Sequence, residues 1–185
     1  MEARGRPQEL AGASKRSNDV NKEDVIADLR ILIADDGQMV RKALRALLEE
    51  RPGWKVIGEA ANGHEAIGKA QRLRPDVVIM DISMPELDGI AATRQIGQMV
   101  PKTEVLVLSQ YDSEEMIYKA TEAGARGYLL KTDARNVGAA VEAVCQHKPF
   151  FSPKLSRTRR PNLGKLRGGV EHRPEDNGAI AGGSR

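Results

Sequence analysis

The stretch Asp76-Val-Val-Ile-Met-Asp81-Ile-Ser-Met-Pro-Glu-Leu-Asp-Gly89 is a short apolar run that ends on a carboxylate and breaks into a loop marked by Pro and Gly. A run of four to six residues, apolar at consecutive positions, reads as a strand buried on both faces. It delivers Asp81 to that strand's carboxyl end. Upstream, Leu32-Ile33-Ala34 delivers the pair Asp35-Asp36 in the same way. Three carboxylates at the ends of two buried strands are costly unless a cation neutralises them, and an all-oxygen set suits a hard divalent ion. The pattern points to magnesium-assisted phosphoryl chemistry.

Around these two runs, apolar segments alternate with stretches of helical period, as in a parallel sheet with crossover helices. Strands are predicted at 29–34, 55–60, 77–81, 104–109 and 127–130. Val40, Leu44, Leu47 and Leu48 form the apolar stripe of the first helix, and Ala66, Ile67 and Ala70 that of the second. Ile90, Ile96 and Met99 mark the third, Met116, Ile117 and Ala120 the fourth, and Val137, Ala140, Val141 and Val144 the fifth. Asp112 is the expected N-cap of the fourth helix, with Glu115 at the capping-box position. Asp88-Gly89 reads as a turn only. Five such units in one stretch make a single domain, and in an open sheet of this kind the ligand site lies beyond the carboxyl ends of the strands. Asp35, Asp36, Asp81, Ser109 and Lys131 each fall at or just after such an end.

The chain has 185 residues, 40% of them apolar and 3% aromatic, with a net charge of +3. From Ser152 onward, eight basic residues face three acidic ones, so the tail carries +5 and the rest −2. A basic balance confined to the tail is no argument that the domain binds nucleic acid. Residues 1–28 are polar and without period, and are expected to be a disordered extension. Residues 149–185 are basic and Gly-rich, with Leu163, Leu166 and Val170 as sparse apolar anchors; a disordered tail without a DNA-binding domain is expected. A natural end, a truncation and a frame shift all remain open for it. No run of about 18 apolar residues suggests a membrane span, and no secretory signal is evident at the start. The lone Cys145 excludes an internal disulfide, fits a reducing cytoplasm, and reads as a small apolar helix residue.

Asp35-Asp36, Asp81 within Met-Asp-Ile-Ser-Met-Pro-Glu-Leu-Asp-Gly, Ser109, and Tyr128-Leu-Leu-Lys131, taken in order, resemble the receiver domain of bacterial two-component response regulators. The resemblance covers residues 29–148. The stretches Ala-Arg-Gly-Tyr-Leu-Leu-Lys131 and Lys148-Pro-Phe-Phe-Ser-Pro153 are similar to the subfamily that usually carries a C-terminal helix-turn-helix. It implies a flavodoxin-like, doubly wound α/β fold with a five-stranded parallel sheet in the order 2-1-3-4-5 and helices on both faces. It implies Asp81 as phosphoacceptor, and Mg²⁺ held by Asp36, Asp81, the backbone carbonyl of Ser83 and, through water, Asp35. Lys131 and Ser109 would bind the phosphoryl group, and Ser109 with Tyr128 would form the switch pair. Taken singly, Asp35 and Asp36 also read as turn or cap residues, Ser109 as the end of a strand and Tyr128 as an edge cover.

The implied partners are a sensor histidine kinase or phosphotransfer protein, and a second copy through the face of the fourth helix, fifth strand and fifth helix. No metabolite would be turned over, no membrane engaged, and the location would be cytoplasmic. Nucleic acid is not an expected partner; the alternative is a transcription-associated regulator that binds it through Arg157, Arg159 and Arg160 of the tail. Two positions depart from the family: Thr132 stands where proline with a cis bond is frequent, and Gln110 where a small residue is usual. Other chemistries lack their signatures. His64, His147 and His172 have no metal-ligand spacing, no phosphate-binding Gly loop or dinucleotide fingerprint occurs, and Asp81-Ile-Ser83 lacks the second aspartate of haloacid-dehalogenase-type phosphatases.

Overall fold

The computed structural model describes residues 28–155. Strands β1 (Leu29–Ala34), β2 (Trp54–Ala60), β3 (Val77–Asp81), β4 (Glu104–Ser109) and β5 (Gly127–Leu130) alternate with helices α1 (Gln38–Glu49), α2 (Gly63–Leu73), α3 (Gly89–Met99), α4 (Glu114–Glu122) and α5 (Val137–Cys145). A short strand β6 (Phe150–Phe151) follows α5. All pairs are parallel, in the order β2-β1-β3-β4-β5-β6. The expected 2-1-3-4-5 order is therefore present, with one strand added at the edge of β5. The expected extension before Asp28 and the tail beyond Leu155, including Arg157, Leu163 and His172, lie outside the described residues.

Alternation along each strand divides the core. Ile31, Ile33, Val77, Ile79, Leu106 and Leu108 face α1 and α5, where they meet Leu44, Leu48, Val137 and Val141. Leu32, Ala34, Val78 and Met80 face α2 and α3, where they meet Ala66, Ala70, Ala92 and Ile96. Both faces of the central strands are thus covered, which is why their sequences read as unbroken apolar runs. Burial of such side chains stabilises by about 1.5–3 kcal/mol each. A third cluster, of Val107, Tyr128 and Leu130 with Ile117 and Ala120 of α4, covers the β5 side.

Several local expectations are corrected. Ser113, not Asp112, caps α4: its side chain accepts from Met116 N–H at 3.3 Å. Leu47 and Met99 lie outside the apolar stripes of α1 and α3, 41% and 46% exposed, while Leu44 and Leu48 of α1 and Ala92 and Ile96 of α3, each pair four residues apart, line the faces turned to the core. Asp88 is more than a turn residue. It caps α3 by accepting from Ala91 N–H at 2.8 Å. The ordered fold also runs past residue 148, through β6 to Leu155, which packs beside Tyr128 and Leu130.

Candidate functional site at the carboxyl ends of β1, β3 and β5

The order of the strands reverses between β1 and β3, so the chain leaves these neighbours toward opposite faces and opens a crevice at their carboxyl ends. Asp81 is the last residue of β3 and Asp35 follows the last residue of β1; both are buried, while Asp36 is exposed. Carboxylate oxygens of Asp35, Asp36 and Asp81 all lie within 4.8 Å of one another. Lys131, directly after β5, brings its Nζ to 2.8 Å from Asp81 Oδ2 and 2.8 Å from Asp35 Oδ2.

The carboxylates are held from behind. Asp35 Oδ1 accepts from Gly37 N–H at 2.8 Å. The Arg41 guanidinium, one turn into α1, donates to the backbone carbonyls of Asp35 at 2.6 Å and Asp36 at 3.2 Å. Its Nε pairs with Glu59 of β2 at 3.1 Å, and Arg45 pairs with the other oxygen of Glu59. Arg41 and Glu59 were not singled out from sequence; the only signal is an arginine one turn after the acidic pair. On the other side, Gly89 N–H donates to Ile82 O at 2.9 Å.

The electrostatics follow from burial against pairing. Burial pushes the Asp81 carboxyl up; Lys131 pulls it back only in part, and it ends above the ordinary value. Burial works against the charge of Lys131, but Asp35 and Asp81 outweigh it and the ammonium ends above its ordinary value. One ammonium facing three carboxylates leaves the site net negative. Asp35 Oδ2 is buried and, although it sits at ion-pairing distance from Lys131, receives no well-aligned hydrogen bond. That orphaned acceptor and the all-oxygen donor set fit a hard divalent cation.

The remaining predicted residues lie in the loop after β3, at the end of β4 and on β5. Ser109 ends β4 and is fully buried; its Oγ accepts from Tyr111 N–H at 3.1 Å. Tyr128 is 1% exposed, with its ring inside and its hydroxyl donating to Tyr111 O at 2.8 Å. It is thus no edge cover. Ser83 is exposed and its hydroxyl donates to the Tyr111 hydroxyl at 3.3 Å. Tyr111 therefore meets Ser83, Ser109 and Tyr128 together, a role no sequence signal announced. Gln110 is exposed beside it. The peptide between Lys131 and Thr132 is trans, as are all those described, and Lys131–Asn136 forms a 3₁₀ turn. Cys145 stands apart from the crevice. Burial pushes its thiol up to about 11, which makes it no nucleophile at neutral pH.

The response regulator receiver domain family matches residues 31–142 of the chain. The chain belongs to this family. The receiver is 40% identical over 129 residues to the transcriptional regulatory protein LiaR of Bacillus subtilis, an alignment covering 69% of this chain and 61% of LiaR. It is 34% identical over 148 residues to the response regulator protein VraR of Staphylococcus aureus, covering 80% of this chain and 68% of VraR. Among solved structures, a two-component response regulator of the LuxR family from Aurantimonas superimposes with a TM-score of 0.67 at 36% identity, over 69% of this chain and 92% of that one. The chain thus spans about three fifths of LiaR. The Aurantimonas protein is named a two-component response regulator, and the names of all three are those of regulators. Among the described residues, no helix is long and apolar enough to cross a membrane.

Proposed function

We propose that this receiver is a phosphorylation switch in which Asp81 accepts a phosphoryl group from the phosphohistidine of a sensor kinase or phosphotransfer protein. The observation that carries this reading is the convergence of Asp35, Asp36, Asp81 and Lys131 from three strand ends on one point. A carboxylate oxygen of Asp81 attacks phosphorus in line. The oxygen–phosphorus bond forms as the phosphorus–nitrogen bond of the donor breaks, and the imidazole leaves with a proton. The Lys131 ammonium neutralises one phosphoryl oxygen as a point charge. Asp36, Asp81 and the Ser83 carbonyl would hold Mg²⁺ directly and Asp35 through water; when bound, the ion offsets the excess negative charge of the crevice. The receiver promotes its own phosphorylation and dephosphorylation, and no external metabolite is consumed.

A phosphoryl group adds roughly −1.5 to −2 charge and strong acceptors. The Ser109 hydroxyl accepts one hydrogen bond from Tyr111 and keeps its own proton to donate toward that group. Drawing Ser109 and the β4–α4 loop inward would disturb the Tyr128–Tyr111 bond, which couples the site to the α4-β5-α5 face. Output through that face is a change of protein contacts, including a second copy of the chain. Its surface includes Tyr118 of α4, 53% exposed.

The test is intact mass after incubation with acetyl phosphate, with and without Mg²⁺, for the wild type and Asp81→Asn. A Mg²⁺-dependent gain of one phosphoryl group, absent from the variant, supports the reading. Labelling retained in Asp81→Asn, or no labelling of the folded wild type, overturns it.

A further inference from the structure

The segment after α5 returns to the edge of β5 and ties down the corner from which Lys131 reaches the site. Ser152 is fully buried there: its N–H donates to Tyr128 O at 3.0 Å, and its Oγ accepts from Leu130 N–H at 2.8 Å. The ladder of β6 ends at Phe151, so this side chain supplies the bond that a further strand residue would have made. Leu130 immediately precedes Lys131. On the other side of the lysine, Lys154 Nζ lies 3.3 Å from Thr132 Oγ1 and 3.3 Å from Asp133 Oδ1. Asp133 is 5% exposed and its Oδ2 accepts no hydrogen bond, and the half-exposed Lys154 offsets its charge from the rim. Leu155 seats the segment in the apolar cluster of Ile82, Tyr128 and Leu130. Thr132, lacking the ring constraint of proline, does not itself fix the chain at this corner.

We propose that residues 150–155 form a strap whose Ser152 and Lys154 position Lys131 for phosphoryl transfer. The inference rests on the reading that Asp81 is the phosphoacceptor. Ser152 holds the residue before the lysine and Lys154 holds the two after it. The strap thereby fixes the base of a flexible four-carbon side chain whose ammonium must meet a phosphoryl oxygen. Neither strap residue touches the reacting atoms. Both act through Lys131.

The experiment measures the rate of phosphoryl uptake from acetyl phosphate with Mg²⁺ in the full chain, for Ser152→Ala, Lys154→Ala and Lys154→Arg. Each is made in the wild type and in a Lys131→Ala background. Displacement of a positioning group by about an ångström can cost up to about 100-fold in rate, so a partial loosening should slow uptake about tenfold in Ser152→Ala and less in Lys154→Ala. Lys154→Arg should restore the rate. In the Lys131→Ala background both strap substitutions should have no further effect, since nothing remains to be positioned. Lys154 is 62% exposed, so its replacement keeps the fold even where loss of buried Ser152 loosens it. Unchanged uptake in both strap variants, or an equal slowing with and without Lys131, overturns the strap while leaving phosphorylation of Asp81 standing. Absence of uptake in the folded wild type overturns both.

Discussion

Lys131 Nζ stands 2.8 Å from Asp81 Oδ2, fifty residues away in sequence, and the same ammonium stands 2.8 Å from Asp35 Oδ2. Both carboxylates are almost wholly buried, so this one cation balances charges that water does not reach. Removing one partner of a buried pair costs about 3–5 kcal/mol, because the other is left uncompensated. Lys131→Ala should lower unfolding free energy by that order in metal-free buffer at neutral pH. Millimolar Mg²⁺ should return part of the loss. Denaturant titrations with and without the ion measure both effects; a variant as stable as the wild type without metal would contradict the charge balance described.

Asp81 has the opposite sign. Its folded carboxyl is raised above the ordinary 3.8, chiefly by burial, so the ionised form strains the fold. A group raised on folding adds stability below its unfolded value and loses that contribution as pH rises through the folded one. At neutral pH, Asp81→Asn should therefore melt higher than the metal-free wild type, by about 2–4 °C for a relief of about 1 kcal/mol. The gain should vanish below pH 3.8. Thermal melts across this range, without divalent ions, decide it.

At the opposite end of the sheet, Glu104 receives two hydrogen bonds from Arg126, at 3.0 and 2.9 Å, and lies 2.7 Å from His147 Nδ1. Burial alone would raise this carboxyl, but Arg126 and His147 prevail and hold it below its ordinary 4.5. A depressed carboxyl contributes stability above its unfolded value, which is lost as pH falls through the folded one. Glu104→Gln should thus cost about 1–3 kcal/mol at neutral pH. The gap to the wild type should close progressively below pH 4.5. Urea midpoints at neutral and acid pH read this directly.

Physical reasons separate what the sequence announced from what it withheld. The strands were legible because β3 and β4 are covered on both faces, and only apolar side chains tolerate that at every position. Asp35, Asp81 and Lys131 were legible because a charged residue ending such a run has a fixed place, on the carboxyl rim. Strand β6 was not, since two phenylalanines carry no period and their pairing depends on the free edge of β5. Ser113 and Asp112 are equally able caps side by side, and only the path of the chain chooses between them. Arg41 and Tyr111 gain their roles from neighbours distant in sequence: Glu59 for one, Ser83 and Tyr128 for the other.

Gly89 offers the sharpest test of how closely the site is built. It opens α3, where alanine would ordinarily stabilise by about 0.5–1 kcal/mol. Here a Cβ would overlap the backbone oxygen of Asp81 and lie 2.8 Å from its carbonyl carbon, so one of the two segments would have to shift. The neighbour that must give is backbone at the proposed phosphoacceptor itself, not the tip of a flexible side chain. Gly89→Ala should therefore destabilise where helix propensity predicts the reverse, by about 2–4 kcal/mol, in the range of strained or overpacked substitutions. Because the strain falls on Asp81, phosphoryl uptake should drop more than the folded fraction does. Gly97, in the same helix, has no neighbour closer than 4.0 Å to an added Cβ, and Gly97→Ala should be neutral or stabilising. Equal effects of the two substitutions on stability and uptake would show that the loop after β3 yields, and that its closeness to α3 does not hold Asp81 in place.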